Sequence, residues 1–176
     1  MLTEPTFFDG SLDHLRAVRE AVTTPLLRKD FIVAESQLIE SRALGADAIL
    51  LIVAALEDRA LVRLIARARD LGLEVLVEVH DREEMRRAVG AGATIIGVNS
   101  RNLRTLQMHP DIFVDLVSAL PRDATAVAES GLGSGADIRK LRAIGYQAFL
   151  IGERFVTESD PGLALTALKQ DAEAAS

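Results

Sequence analysis

The run Ala48-Ile49-Leu50-Leu51-Ile52-Val53 is apolar throughout, with no alternation of apolar and polar residues. A strand that is wet on one face alternates, so this run predicts a strand covered on both faces. Strands of that kind belong to parallel sheets, whose crossovers are helices. The spacing predicts further strands at Leu26–Arg28, Val75–Val77, Thr94–Val98, Ala124–Ala128 and Ala148–Ile151. Between them it predicts helices at Ser36–Leu44, Leu56–Leu71, Asp81–Val89, Asp111–Leu120 and Ala136–Ile144, with a closing helix at Leu163–Lys169. The second of these is the clearest. Leu61, Leu64, Ile65, Ala68 and Leu71 share one face, and Gly72 ends it.

A phrase recurs where helices hand over to strands: Leu44-Gly45-Ala46-Asp47-Ala48, Gly90-Ala91-Gly92-Ala93-Thr94 and Ile144-Gly145-Tyr146-Gln147-Ala148. Each glycine can end a helix in the left-handed conformation. The repeat of βα units predicts an α/β fold, a barrel or a doubly wound sheet. Gly131-Leu132-Gly133-Ser134-Gly135 has the wrong spacing for a dinucleotide loop, which favours the barrel.

Composition narrows the function. There is no cysteine, so disulfides and thiolate metal sites are excluded. His14, His80 and His109 show no metal-ligand spacing. The net charge of −6 and the 4% aromatic content do not suit a nucleic-acid surface. The opening Met1-Leu2-Thr3-Glu4-Pro5 is not a signal peptide, and no apolar run approaches the ~20 residues of a membrane span. A cytoplasmic protein of one domain, residues 1–176, is the expectation. Of twenty basic residues only Lys29, Lys140 and Lys169 are lysines. A lysine at a strand end therefore raises the question of proton transfer.

In a β/α barrel the site gathers at the C-terminal strand ends. Polar residues that close apolar runs are thus the informative ones: Lys29 and Asp30, Glu78, Asn99 and Arg101, Glu129, and Gly152. Glu78 lies between Val77 and Val79, a poor place for a merely solvated charge, because an unpaired buried carboxylate costs several kcal/mol. Ser130-Gly131 and Gly152-Glu153 follow neighbouring strands, and their backbone N–H groups can cradle an anion. Glu153 fits beside a phosphate only with its carboxylate turned away. His80 and His109 read as surface or supporting residues, and Met108 and Phe113 as packing.

Seven phrases in order resemble the indole-3-glycerol phosphate synthase family: Leu2-Thr3-Glu4-Pro5-Thr6-Phe7-Phe8, Leu27-Arg28-Lys29-Asp30-Phe31-Ile32-Val33, Leu50-Leu51-Ile52-Val53-Ala54, Leu76-Val77-Glu78-Val79-His80, Ile96-Gly97-Val98-Asn99-Ser100-Arg101-Asn102-Leu103, Ala128-Glu129-Ser130-Gly131 and Phe149-Leu150-Ile151-Gly152-Glu153. The resemblance implies a (β/α)8 TIM barrel and a carboxy-lyase of tryptophan biosynthesis that uses no organic cofactor or metal. It implies Lys29 as the acid of ring closure, Glu78 as the proton-transfer glutamate, Asn99 as a positioning amide and Glu129 as an electrostatic stabiliser. It also implies Arg101 near the substrate, Ser130, Gly131, Gly152 and Glu153 as a phosphate cradle, and Phe8, Phe31 and Leu51 as apolar walls.

The family's first strand carries a glutamate and a second lysine, and an N-terminal helical segment precedes it. Met1 falls inside the family's second strand, so an N-terminally truncated barrel with little or no activity alone is expected. Two other readings stay open. One is a non-catalytic fragment that pairs through its open barrel edge with a partner or with itself; the other is a different phosphate-binding barrel enzyme, such as a sugar-phosphate isomerase.

Overall fold

The structure is a computed structural model and describes residues 1–102 and 105–174. Leu103, which closes the fifth shared phrase, lies outside them. Six strands form one parallel sheet in sequence order: β1 (Leu27–Arg28), β2 (Ala48–Ile52), β3 (Glu74–Val79), β4 (Ile95–Asn99), β5 (Thr125–Glu129) and β6 (Ala148–Leu150). Two short N-terminal helices, α1 (Pro5–Phe8) and α2 (Leu12–Ala21), precede β1. The crossovers are α3 (Glu35–Ala43), α4 (Asp58–Asp70), α5 (Arg82–Gly90), α6 (Ile112–Val117) and α7 (Gly135–Ile144). The chain closes with α8 (Glu153–Val156) and α9 (Pro161–Glu173). Among the described residues no helix is long and apolar enough to cross a membrane.

The predicted elements form, with ends shifted by one to four residues. Val53 leaves β2 for a short 3-10 turn, Val53–Ala55. Gly72, Gly92 and Gly145 do take positive φ at the helix ends, where a side chain would be strained. The periodicity did not predict α1, α2 or α8, of which α2 is the longest. Its signal was available: Ser11 caps it, accepting from the His14 N–H at 3.1 Å, and Leu15 is its single fully buried residue.

Successive strand residues point to opposite faces, and the core divides accordingly. Ile49, Leu51, Val75, Val77, Ile96, Val98, Ala126 and Ala128 pack outward against helix residues such as Leu38, Leu61, Ile65 and Met85. Leu50, Ile52, Leu76 and Val127 form a smaller inner cluster with Leu27, Ile95, Ala148 and Leu150. The same rule sorts the charged run after Leu27. Arg28 turns outward into α3, where it donates to Gln37 O, Glu40 and Ser41 Oγ, and it also pairs with Asp30 at 2.9 Å. Lys29 turns inward.

Asp30 is a structural acceptor. It takes the Thr3 hydroxyl at 2.6 Å and the Phe31 N–H at 2.8 Å. Those contacts pin the N-terminus beside β1. There Leu2 makes a parallel bridge to Lys29, and the Lys29 N–H donates to Met1 O at 2.8 Å. Arg28 is nearly inaccessible, and removing it leaves Asp30 without its cation. Arg28→Ala is expected to destabilise the fold by about 3–5 kcal/mol, the usual cost of breaking a buried pair, read as a lowered urea midpoint at unchanged m-value.

Candidate active site

The strand order places four inward-facing polar residues near one another at the C-terminal end of the sheet. Lys29 follows β1, Glu78 is near the end of β3, Asn99 ends β4 and Glu129 ends β5. The register pairs Ile52 with Glu78, Glu78 with Gly97, and Asn99 with Glu129. Glu78 is 1% exposed and Glu129 0%. Lys29 Nζ reaches both, at 3.0 Å from Glu78 Oε2 and 3.4 Å from Glu129 Oε2. The three residues are up to 100 positions apart in sequence.

The two carboxyls are not equivalent. Burial pushes Glu78 upward, but His80 and Lys29 together outweigh it and hold Glu78 well below the usual carboxylate range. Burial also pushes Glu129 up, and the neighbouring Glu78 charge pushes it further, so it rises well above that range. Glu129 Oε1 has no hydrogen-bond partner among the described residues. For Lys29, burial lowers the ammonium, but Glu78 and Glu129 raise it to a net value above the ordinary one. Lys29 therefore stands between a carboxyl that binds its proton weakly, Glu78, and one that binds it more strongly, Glu129.

Gly97 explains how Glu129 fits. A Cβ there would overlap Glu129 Oε1 and press on Leu76 Cδ1 at 3.2 Å. The carboxyl lies over the bare backbone of β4. The sequence reading missed this residue, although a glycine inside an apolar strand signals close approach of another group. It also set His80 aside. That ring sits 3.3 Å from Glu78 Oε1, within ion-pair range, yet its Nε2 misses the alignment of a hydrogen bond. The available signal was spacing: Glu78 and His80 are two apart at a strand end and so share a face.

The remaining candidates lie on segments that follow the strands or precede β1, with one exception. Asn99 Oδ1 accepts from the Arg101 N–H at 3.0 Å. Arg101 reaches across to Glu153 at 2.6 Å, so that carboxylate does turn to a cation and links the ends of β4 and β6. Ser130 and Gly131 both have positive φ, and the Ser130 carbonyl accepts from Ser100 Oγ at 3.1 Å. Gly152 caps α8 and has open space around its Cα. Phe8 and Phe31 stack at 6.5 Å and 25°, both largely exposed. Leu51 is the exception. It is 0% exposed and packs outward under the helices, because it lies one residue from the inward Leu50 and Ile52. The apolar positions of β2 that face the site are Leu50 and Ile52. His109 and Met108 lie on the loop after β4, with Met108 Cε beside Gly131, and Phe113 packs edge-on against Tyr146 at 5.6 Å. No cluster of three metal-ligating side chains occurs among the described residues.

A parallel β/α sheet whose strands follow sequence order places the chain in the TIM-barrel class. The fold is shared with 3-hexulose-6-phosphate synthase from Salmonella typhimurium (TM-score 0.77, 17% identity, 96% of this chain and 83% of that one). It is also shared with a lactate oxidase from Pediococcus acidilactici (TM-score 0.70, 19% identity, 90% and 58%). Sequence is more specific. The family model for indole-3-glycerol phosphate synthase matches residues 1–168, and the chain belongs to that family. Curated proteins of that name are 53% identical over 161 residues in a Nocardioides species and 54% identical over 160 residues in Chlorobium luteolum. These matches cover 92% and 91% of this chain but 62% and 61% of the relatives, so it spans about six-tenths of their length.

Gly97→Ala is expected to push the Glu129 carboxyl off β4 and break its 3.4 Å contact with Lys29. The cost is about 1–3 kcal/mol, as for other overpacked sites. The Lys29 titration midpoint, followed by NMR at Cε, should fall; an unchanged midpoint in a folded variant would show that Glu129 does not depend on Gly97.

Proposed function

We propose that this chain carries the site of an indole-3-glycerol phosphate synthase working in the cytoplasm. The reaction converts 1-(2-carboxyphenylamino)-1-deoxyribulose 5-phosphate to indole-3-glycerol phosphate, carbon dioxide and water. The observation that carries the reading is Lys29 held between two buried carboxyls, at 3.0 Å from Glu78 and 3.4 Å from Glu129, whose surroundings push their proton affinities apart. Ring closure joins the aromatic carbon bearing the carboxylate to the substrate ketone. The ketone oxygen needs a proton as that bond forms, and Lys29 supplies it. The carboxylate then leaves as carbon dioxide and its electron pair restores the aromatic ring.

The alcohol left behind departs as water when an acid protonates it and a base removes a proton. Glu78, ionised and beside Lys29, is the base, and it returns its proton to the lysine. Glu129, fully buried, stabilises the cationic intermediate electrostatically, since the positive charge of that intermediate favours its carboxylate form. Asn99 fixes the Arg101 backbone. Arg101, Ser130, Gly131, Gly152 and Glu153 surround the substrate's phosphate end, where phosphate would compete with Glu153 for the guanidinium. Phe8 and Phe31 flank the aromatic ring, with Ile52 in place of Leu51.

The test is turnover of that substrate, followed by product fluorescence, by the purified chain alone and joined to the part of the Nocardioides relative that the match does not cover. Product is expected from the joined form. Lys29→Ala should lower its kcat about 10²–10⁴-fold, the range for losing a general acid, while phosphate-end binding measured calorimetrically persists. Absence of product from both forms would remove the reading.

A second reading is favoured by one observation. Among the described residues, strand β6 pairs with β5 alone and the backbone of Met1 to Thr3 with β1 alone, so both edges of the sheet hold backbone unpaired by those residues. Such edges can pair with a second copy of the chain. Sedimentation at micromolar concentration should then show a dimer, and a clean monomer would count against self-pairing.

A further inference from the structure

We infer that His80 is a positioning residue: anchored by Glu84, its ring approaches the second oxygen of Glu78 and makes Glu78, rather than Glu129, the base beside Lys29. The inference rests on the proposed role of Glu78 in proton transfer and adds what selects it over its neighbour.

Each oxygen of Glu78 meets a different basic group. Lys29 approaches Oε2 at 3.0 Å and the His80 ring approaches Oε1 at 3.3 Å. Glu129 meets one cation among the described residues, Lys29 at the longer 3.4 Å, with the Glu78 carboxyl beside it, and its Oε1 has no hydrogen-bond partner there. The lysine alone is nearly symmetric between the carboxyls, a difference of a few tenths of an ångström. The ring is what breaks the tie. Its approach is itself over-determined. One oxygen of Glu84 accepts both the His80 backbone N–H, at 2.7 Å, and ring Nδ1, at 3.0 Å. Glu84 is fixed in turn, because its N–H donates to Asp81 Oδ1 at 2.8 Å where α5 begins. The start of a helix thus orients a ring, and the ring orients a buried carboxylate.

Charge supports the same assignment. The groups facing His80 are Glu78 from its own strand and Glu84 from α5, with Lys29 and Glu129 beyond Glu78. Burial lowers the imidazolium, but the two carboxylates outweigh it and raise it to about 9. The ring therefore stays cationic across the neutral range. Without it, Lys29 faces two buried carboxyls alone. Glu78 then loses one of the two cations that keep it ionised, and the proton it gains comes at the expense of its difference from Glu129.

The experiment is a carboxyl-carbon NMR titration of the chain, with turnover measured in parallel on the joined form described above. In the wild type Glu78 should titrate low and Glu129 high. His80→Gln should raise the Glu78 midpoint by about one pH unit, a tenfold gain in proton affinity, and narrow the gap to Glu129. Glu84→Gln provides a milder variant, since Gln still accepts the backbone N–H but carries no charge; it should lower the His80 midpoint and move Glu78 the same way by less. An unmoved Glu78 in both folded variants overturns the inference.

Stability gives an independent check. A ring raised from 6.5 to about 9 in the fold contributes stability fully below its unfolded value and loses it as pH rises through about 9. That decline should flatten in His80→Gln. In turnover, His80→Gln should lower kcat with KM nearly unchanged and shift the acidic limb of the pH profile upward. Moving carboxyls with no product from any form would sink the synthase reading and leave the positioning role standing, whereas product with unmoved carboxyls would do the reverse.

Discussion

Two carboxyls with almost no exposure lie at the inner end of a sheet otherwise lined by Leu50, Ile52, Leu76 and Val127. An ionised carboxylate in such a place costs several kcal/mol unless a cation meets it. Lys29 meets both, and that requirement reaches through the rest of the site. It fixes the inward direction of Lys29, and hence the outward direction of Arg28 and its attachment to α3. It demands a strand position without a side chain at Gly97, so that Glu129 has somewhere to lie. It also leaves one negative charge too many, which a second basic group, His80, meets at Glu78, while Glu129 is left with the higher proton affinity.

The same arrangement links the scaffold to the chemistry. The contacts that hold the first residues beside β1, Thr3 to Asp30 and Lys29 N–H to Met1 O, are also those that set the height of the lysine. The capping of α5 by Asp81 sets Glu84, which sets His80. Rim residues are held less firmly. Arg101 and Glu153 pair across the mouth with substantial exposure, so their ion pair contributes little to stability.

Much of this was legible before any coordinates. Runs such as Ala48–Val53 declare strands covered on both faces, the recurring glycine phrases mark the joints, and charges placed after apolar runs mark the strand ends. Lys29, Glu78, Asn99 and Glu129 were all readable by that logic. Leu51 was not, because an uninterrupted apolar run carries no mark of which face is inner; a shift of one residue reverses the answer. Gly97 was equally hidden: a glycine signals close approach but does not say what approaches. His80 shared a face with Glu78, yet nothing local says that Glu84 would hold its ring.

By itself, then, the sequence determined the class of sheet, the order of its elements and which polar residues stand at strand ends, since periodicity and punctuation are local properties. Only the tertiary structure decided that Lys29, Glu78 and Glu129 share one charge network, that His80 and Gly97 belong to it, and that Leu51 does not. The reason is physical. Protonation, burial and contact depend on residues up to 100 positions away along the chain, brought together only when the sheet closes its register.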